Sequence, residues 1–170
     1  MVEKPDEVTG VVLAGGESTR FGGRGDNKAV AEYEGETFIE RVVGSLTQTA
    51  PISNVVVVVR NQEQSDELAR FLENTGFIYD DHDYSGPVAG IFGAVNEASA
   101  PWMFVCGCDM PFVSTSAVSW ICDKGEDYDA VVPVDRCRDI CHPLHALYRR
   151  DALAGVKPSL DKHGSMSMSM

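Results

Sequence analysis

The sequence predicts an α/β fold, a three-layer, doubly wound (Rossmann-like) and mostly parallel sheet. Three observations favour it. Five consecutive valines at 55–59 are bounded by polar residues, which is typical of a strand buried on both faces of a parallel sheet. Apolar runs alternate with segments of helical spacing along most of the 170 residues. The first apolar run, at 11–13, stops at paired glycines, as in a strand-to-helix loop.

The elements follow in order along the chain. Residues 1–8 are expected to be a frayed lead-in. The predicted strands are 11–13, 55–59, 77–79, 102–106, 130–133 and 145–148. The predicted helices are 38–46, 64–75, the segment from the Ser85-Gly86-Pro87 turn to before Pro101, 114–124 and a last one from Asp151. Thr37 is expected to cap the first helix, and Ser114 or Thr115 the fourth.

Length and charge exclude several classes of protein. We expect one domain over 1–170, with the Ser/Met-rich tail at 164–170 disordered. The net charge of −12 argues against a nucleic-acid partner. It is equally consistent with an ordinary acidic protein and with adaptation to a salty cytoplasm. No apolar stretch approaches the roughly 20 residues of a membrane helix, and the N-terminus has no signal segment, so a cytoplasmic protein without membrane contact is expected.

The glycine loop after the first strand is the first candidate site. Its glycines allow an anion to approach backbone N–H groups, and Arg20 and Lys28 follow as cations. The spacing matches neither the dinucleotide-binding fingerprint nor the P-loop. On spacing alone, a phosphate site and an ordinary tight turn are equally consistent with the loop.

The glycine loop and Asp109 each follow a predicted strand and are expected at the same edge of the sheet. Asp109 comes just after the strand at 102–106. Ligands of doubly wound sheets bind beyond the carboxyl ends of the strands. The alternative is a helix cap or turn residue for Asp109 and a solvated turn for Asp80 and Asp81.

Four segments together resemble the nucleotidyltransferases that activate small phosphorylated metabolites, in particular the molybdenum cofactor guanylyltransferase family. They are LAGGESTRFGG with the following NK, YDDHDYSGPVAGI, CGCDMPFVS and RDICHPLHALYR. The resemblance covers residues 11 to about 160. It implies a fold of the nucleotide-diphospho-sugar transferase type and transfer of GMP from GTP to the phosphate of molybdopterin, with release of pyrophosphate and with Mg²⁺ as the cofactor.

The resemblance also implies roles for individual residues. Arg20, Lys28 and Asp109 are expected to be catalytic, the first two on phosphate oxygens and Asp109 as the Mg²⁺ ligand. The nucleotide would be held by Leu13, Ala14, Gly15, Gly16, Lys28, Asp80 and Asp109. His142 and Pro143 are expected near the acceptor. Gly15 favours GTP, because resembling enzymes that use CTP tend to have alanine there.

Several alternatives stay open. Within the class they are guanylyl transfer to adenosylcobinamide phosphate and cytidylyl transfer to the molybdenum cofactor. Outside it, a GTP-binding module without activity is possible, because the family usually has a further strand and an Asn-containing segment that this sequence lacks. Cys137, Cys141, His142 and His145 also offer four metal ligands, although their spacing is not that of a recognised zinc site.

Overall fold

The computed structural model of the chain describes residues 5–16 and 27–161. The strands are Val8–Leu13 (β1), Glu32–Tyr33 (β2), Glu36–Thr37 (β3), Ile52–Val59 (β4), Gly76–Tyr79 (β5), Trp102–Gly107 (β6), Ala130–Val131 (β7), Val134–Asp135 (β8), Ile140–Cys141 (β9) and His145–Arg149 (β10). The α-helices are Phe38–Thr47 (α1), Gln62–Leu68 (α2), Pro87–Glu97 (α3), Thr115–Asp123 (α4) and Arg150–Asp161 (α5). Short 3₁₀ turns lie at Lys28–Val30 and Gly125–Asp127.

The central sheet has six strands in the order β5-β4-β1-β6-β10-β7. β1 lies between β4 and β6 and is parallel to both, and β5 is parallel to β4. β10 is antiparallel to β6 and β7. The predicted mostly parallel sheet is therefore confirmed. After β1 the chain forms β4 and β5 on one side of that strand and then crosses to β6 on the other side. The topological switch point therefore lies between the ends of β1 and β6.

Helices cover both faces of this sheet. Side chains of α1, α2 and α4 pack in one apolar cluster, and those of α3 and α5 pack in the other. Along β4 the valines alternate between the clusters, with Val57 in the first and Val56 and Val58 in the second. The valine run is thus buried on both faces, and the predicted three-layer, doubly wound arrangement is confirmed.

The caps of two helices are as predicted. Thr37 Oγ1 accepts a hydrogen bond from Glu40 N (3.3 Å), and Thr37 N donates to Glu40 Oε2 (2.8 Å), which completes a capping box at the start of α1. Ser114 caps α4 by accepting from Ala117 N (3.4 Å). Local side-chain chemistry therefore fixes these two boundaries.

The predicted lead-in at 1–8 is wrong at Val8. This residue is fully buried at the start of β1, where it pairs with Ile52 and Trp102. A Cβ atom at Gly10 would lie 3.2 Å from Leu46 Cδ1 of α1. Packing under α1 thus draws a segment with little strand signal of its own into the centre of the sheet.

The second predicted helix is shorter than expected and begins earlier. Asn61 caps α2 through its Oδ1, which accepts from Gln64 N (3.0 Å), and the helix ends at Leu68 instead of continuing to 75. Leu68 is fully buried, whereas Phe71 is 36% exposed. Asn74 has a φ of 54°, so the chain turns there before it enters β5.

Two small hairpins were not predicted. β2 pairs with β3 through Glu34 and Gly35, which both have positive φ, as a two-residue hairpin turn requires. The predicted strand at 130–133 ends at Val131, where the chain leaves the central sheet. The next strand, β8, pairs with β9 in a separate hairpin.

The described residues do not test two of the sequence predictions. The predicted tail at 164–170 lies outside the described residues, and the single-domain assignment over 1–170 stays a prediction. Among the described helices, none has the length and apolar character needed to cross a membrane.

Candidate active site

A cavity of about 700 Å³ opens at the switch point of the sheet. Its volume is within the range of small-molecule binding sites. Its lining includes the following predicted site residues: Leu13, Ala14, Gly15, Gly16, Lys28, Asp80 and Asp109. Arg20, the remaining predicted residue, lies outside the described residues. The structure therefore brings together every predicted catalytic and nucleotide-binding residue that it describes.

The glycine loop is anchored by its first residues. Ala14 N donates to Val58 O of β4 (2.8 Å), and Leu13 O accepts from Cys108 N (3.1 Å). Within residues 5–16 and 27–161, no hydrogen bond engages the N–H groups of Gly15 and Gly16. The loop thus fixes its start against the sheet and leaves the two glycine N–H groups available to an anion.

Gln64 is a supporting residue that the sequence reasoning missed. Its side chain is buried, and its Nε2 donates to Ala14 O (2.7 Å) while its Oε1 accepts from Arg60 N (2.9 Å). The side chain therefore ties the glycine loop to the first turn of α2. Its partner Ala14 lies 50 residues earlier in the chain, so no local pattern marks it.

Lys28 is held by a short turn that is fixed at its start. Asn27 Oδ1 accepts from Ala29 N (3.2 Å), and Asn27 Nδ2 donates to Glu67 Oε2 of α2 (3.0 Å). Ala29 is fully buried beneath the turn. These contacts place Lys28 at the cavity with its Nζ 3.8 Å from Asp109 Oδ2.

The pair of Lys28 and Asp109 is open to solvent. The exposed fraction of the side chain is 34% for Lys28 and 55% for Asp109. Ion pairs this exposed contribute at most about 1 kcal/mol. Either charge can therefore exchange its partner for a phosphate group or a cation at low cost.

Asp109 follows β6 in a turn that its neighbours shape. A Cβ atom at Gly107 would lie 2.8 Å from Asp109 Oδ1, so the carboxylate turns back over a position that only glycine leaves free. Burial raises the pKa of Cys106, and it raises the pKa of Cys108 to about 12. Both thiols are thus neutral, and they act as the small buried residues that the sequence predicted.

The donor set at Asp109 fits Mg²⁺. This ion is commonly bound by one or two carboxylates, several waters and the phosphates of a substrate. Asp109 offers one exposed carboxylate at the cavity, and the described residues contain no group of three or more His, Cys, Asp or Glu side chains that could hold a metal. Asp109 would therefore hold the ion together with substrate phosphates and water.

The alternative zinc ligands do not form a site in the part of the chain that the structure describes. Cys137 and Cys141 are exposed on the β8–β9 hairpin. His145 packs edge-on against Phe104 with ring centroids 5.2 Å apart, and burial lowers its pKa. Of the predicted acceptor segment, Leu144 lines the cavity, whereas His142 and Pro143 do not.

Asp80 is enclosed by two glycines. A Cβ atom at Gly15 would lie 2.5 Å from Asp80 Oδ2, and one at Gly90 would lie 3.2 Å from Oδ1. Burial raises the pKa of the Asp80 carboxyl, against the opposing charges of Arg60 and His82. The absence of a side chain at Gly15 thus leaves room for the Asp80 carboxylate. The sequence did not reveal this explanation for a glycine at position 15.

Asp81 is not the solvated turn residue that the sequence alternative described. Its side chain is only 10% exposed, and its Oδ2 lies 2.6 Å from Lys157 Nζ of α5. The hydrogen bond from Lys157 lowers the pKa of Asp81. Asn96 Nδ2 of α3 donates to the same oxygen (3.4 Å). This loop residue is therefore fixed by two helices, and one of them begins about 70 residues later in the chain.

Comparisons with known proteins identify the family of this chain. The MobA-like NTP transferase domain matches residues 10–169. A probable molybdenum cofactor guanylyltransferase of Methanosarcina acetivorans is 32% identical over 156 residues, which cover 89% of this chain and 68% of that protein. A protein of the same description from Natronomonas pharaonis is 33% identical over 150 residues, covering 87% and 71%.

Solved structures of similar proteins share the fold of this chain. Molybdopterin-guanine dinucleotide biosynthesis protein A from Archaeoglobus fulgidus superposes with a TM-score of 0.71 at 28% identity, covering 91% of this chain and 74% of that one. A CMP:2-keto-3-deoxy-manno-octonic acid synthetase with CTP bound shares the fold, with a TM-score of 0.68 at 15% identity and coverage of 95% and 80%. The predicted nucleotide-diphospho-sugar transferase type of fold is thus confirmed, and the chain belongs to the MobA-like NTP transferase family.

Proposed function

We propose that this chain is a guanylyltransferase that transfers GMP from GTP to the terminal phosphate of molybdopterin. One observation carries the proposal. A cation, Lys28, and an exposed carboxylate, Asp109, line the same cavity as the glycines Gly15 and Gly16 and the half-buried Asp80. Curated relatives that are 32% and 33% identical are each described as "probable molybdenum cofactor guanylyltransferase", which supports this assignment.

The reaction needs no protein nucleophile. An oxygen of the acceptor phosphate attacks the α-phosphorus of GTP, and the bond from that phosphorus to the bridging oxygen breaks, so that pyrophosphate leaves with the bonding electrons. Such transfers depend on positioning and on charge stabilisation. Mg²⁺ held by Asp109 would supply charge neutralisation at the phosphate oxygens.

The chain's own groups perform the remaining work on the phosphates. Lys28 lines the cavity with its Nζ 3.8 Å from Asp109 Oδ2, so it can bind a phosphate oxygen as negative charge develops there. The N–H groups of Gly15 and Gly16 bind further phosphate oxygens, and Gln64 keeps the loop in place through Ala14. Arg20 is proposed to bind the phosphates as a second cation.

Asp80 is the group that selects the nucleotide. Its carboxylate only accepts hydrogen bonds when it is ionised. Guanine offers two adjacent donors, the N1–H and the N2 amino group, whereas adenine and cytosine each offer one amino group on that edge. A half-buried acceptor left unpaired by the wrong base costs binding free energy, so this site favours GTP.

A pyrophosphate-release assay tests the proposal. GTP, CTP and ATP are each supplied with Mg²⁺ and with molybdopterin, adenosylcobinamide phosphate or no acceptor. We expect rapid release only from GTP with molybdopterin. Release with adenosylcobinamide phosphate instead would show that the proposed acceptor is wrong. A preference for CTP would show that the proposed nucleotide is wrong. Binding of GTP without release for any acceptor would identify an inactive GTP-binding module.

A further inference from the structure

Lys157 connects α5 to the wall of the cavity. Its Nζ lies 2.6 Å from Asp81 Oδ2 and 5.6 Å from the ring centroids of both Tyr84 and Phe92. The exposed fraction of the side chain is 27% for Lys157 and 10% for Asp81. A pair this enclosed is screened far less than a surface pair, so its removal has a measurable cost.

Asp81 in turn organises the loop that carries the nucleotide-selecting residue. Asp81 N donates to Ala89 O of α3 (2.9 Å), and Tyr84 N donates to Asp81 O (3.1 Å). The side chain also accepts from Asp83 N through Oδ1 (3.1 Å). Because Tyr84 and Ala89 line the cavity together with Asp80, the position of Asp81 sets the geometry of this part of the wall.

We propose that Lys157 is a positioning residue for the nucleotide: through Asp81 it holds the Asp80 carboxylate and the Tyr84 ring in place before GTP binds. The proposal rests on the proposed function for the identity of the nucleotide. A site that is already ordered loses less conformational entropy on binding. Without Lys157, Asp81 would be a nearly buried carboxylate beside Asp80 without its cation, and like charges repel.

The consequence is a separation of affinity from turnover. Lys157 contacts neither Lys28 nor Asp109 in the described structure, so its loss should leave the transfer step itself unaffected once GTP is saturating. The position of Asp80 is needed already in the bound ground state. Lys157 should therefore affect the dissociation constant and the KM for GTP, not kcat.

The test measures GTP binding by calorimetry with Mg²⁺, and steady-state kinetics with molybdopterin, on Lys157→Ala and Lys157→Met. We expect the dissociation constant and the KM for GTP to rise about tenfold in both variants, with kcat within about twofold of the wild type. Lys157→Met retains most of the aliphatic stem, so it isolates the loss of charge if Lys157→Ala folds poorly. Lys157→Arg should restore most of the affinity.

Lys124 provides a matched control. Its Nζ lies 5.4 Å from the Trp120 ring centroid, so it too is a lysine over an aromatic ring, but it does not line the cavity. Lys124→Ala should bind GTP like the wild type. The effect of Lys157→Ala should also disappear in an Asp81→Asn background, because the two residues act through one contact.

The outcomes separate the two proposals. Wild-type protein that does not bind GTP would overturn the proposed function. Wild-type binding with an unchanged affinity in the two neutral Lys157 variants would overturn the positioning role alone. A fall in kcat at an unchanged KM would also overturn it, since the residue would then act on the transfer step.

Discussion

Two walls of the cavity carry similar charges in opposite settings. The phosphate wall consists of Gly16, Lys28 and Asp109, and its charged groups are exposed and 3.8 Å apart. The base wall consists of Asp80, Asp81 and the Cα of Gly15, whose N–H group serves the phosphate wall. There, Asp80 is packed against glycine, and Asp81 is hydrogen-bonded to Lys157 at 2.6 Å.

The difference separates two tasks. Groups that bind a metal ion and a changing phosphate must exchange partners during turnover, and weak exposed pairing allows this exchange. Groups that recognise a base gain from being fixed beforehand, because less entropy is lost on binding. Substitutions in the phosphate wall should therefore lower kcat, whereas substitutions in the base wall should raise the KM for GTP.

Asp109→Asn should give the largest change. The amide keeps the size of the side chain but loses the negative charge that would hold Mg²⁺. We expect kcat to fall by about a thousandfold, equivalent to about 4 kcal/mol of transition-state stabilisation. The pyrophosphate-release assay at saturating GTP measures it, with Asp127→Asn, an exposed carboxylate of the Gly125–Asp127 turn, as the control. Undiminished turnover would remove Asp109 from the mechanism.

Lys28→Met should give the second largest effect on the same wall. The thioether retains the stem but removes the charge that stabilises the phosphate oxygens, so we expect kcat to fall about a hundredfold. The dissociation constant for GTP, measured by calorimetry, should change much less. If the loss lay mainly in GTP affinity with kcat preserved, the division of tasks between the walls would be wrong.

Gly15→Ala tests the base wall. The new Cβ atom would lie 2.5 Å from Asp80 Oδ2, so the carboxylate must move from its position. We expect the KM for GTP to rise about tenfold, from the cost of overpacking, with little change in kcat. The matched control is Gly44→Ala in α1, where no atom lies within 4 Å of an added Cβ. Equal KM values in the two variants would contradict the role of Asp80.

The pH dependence of GTP affinity should give the smallest effect. The base contact needs ionised Asp80, and burial raises the pKa of this carboxyl above its ordinary value of 3.8. Affinity should therefore fall by a few fold as the pH drops towards that raised pKa. Calorimetry at several pH values checks this, with Asp80→Asn as the control, because ionisation of GTP itself affects both proteins alike. A wild-type profile parallel to that of Asp80→Asn would exclude the contact.

The same shift has a consequence for stability. A carboxyl group whose pKa is raised on folding lowers the free energy of unfolding when it ionises. As the pH rises through the raised pKa, the wild type should therefore lose stability relative to Asp80→Asn. Denaturant titrations at several pH values measure this difference.

The sequence predicts most of the phosphate wall, because Gly16 and Asp109 lie just after strand ends. The apolar run before Gly15 and the one before Asp109 mark β1 and β6, and parallel neighbours end at one edge of the sheet. The valines of β4 and the helix cap at Thr37 are equally local signals, and both are confirmed.

The features that sequence reasoning missed depend on distant contacts. The sequence around Asp81 is typical of a solvated turn, but in the fold Asp81 is bound by Lys157, which lies 76 residues later. Gln64 has its supporting role because its side chain donates to Ala14. Val8 becomes part of β1 because α1 packs over that strand. Each of these depends on where other elements lie, which no local pattern encodes.

The most direct test of the account follows the phosphorus atoms of GTP. The protein is incubated with Mg²⁺, molybdopterin and GTP labelled either at the α-phosphate or at the γ-phosphate. Nucleotidyl transfer predicts that the α label enters the molybdopterin product and that the γ label is recovered as pyrophosphate. Transfer of the γ label to the acceptor, or release of the γ label as inorganic phosphate without product, would contradict the proposed reaction.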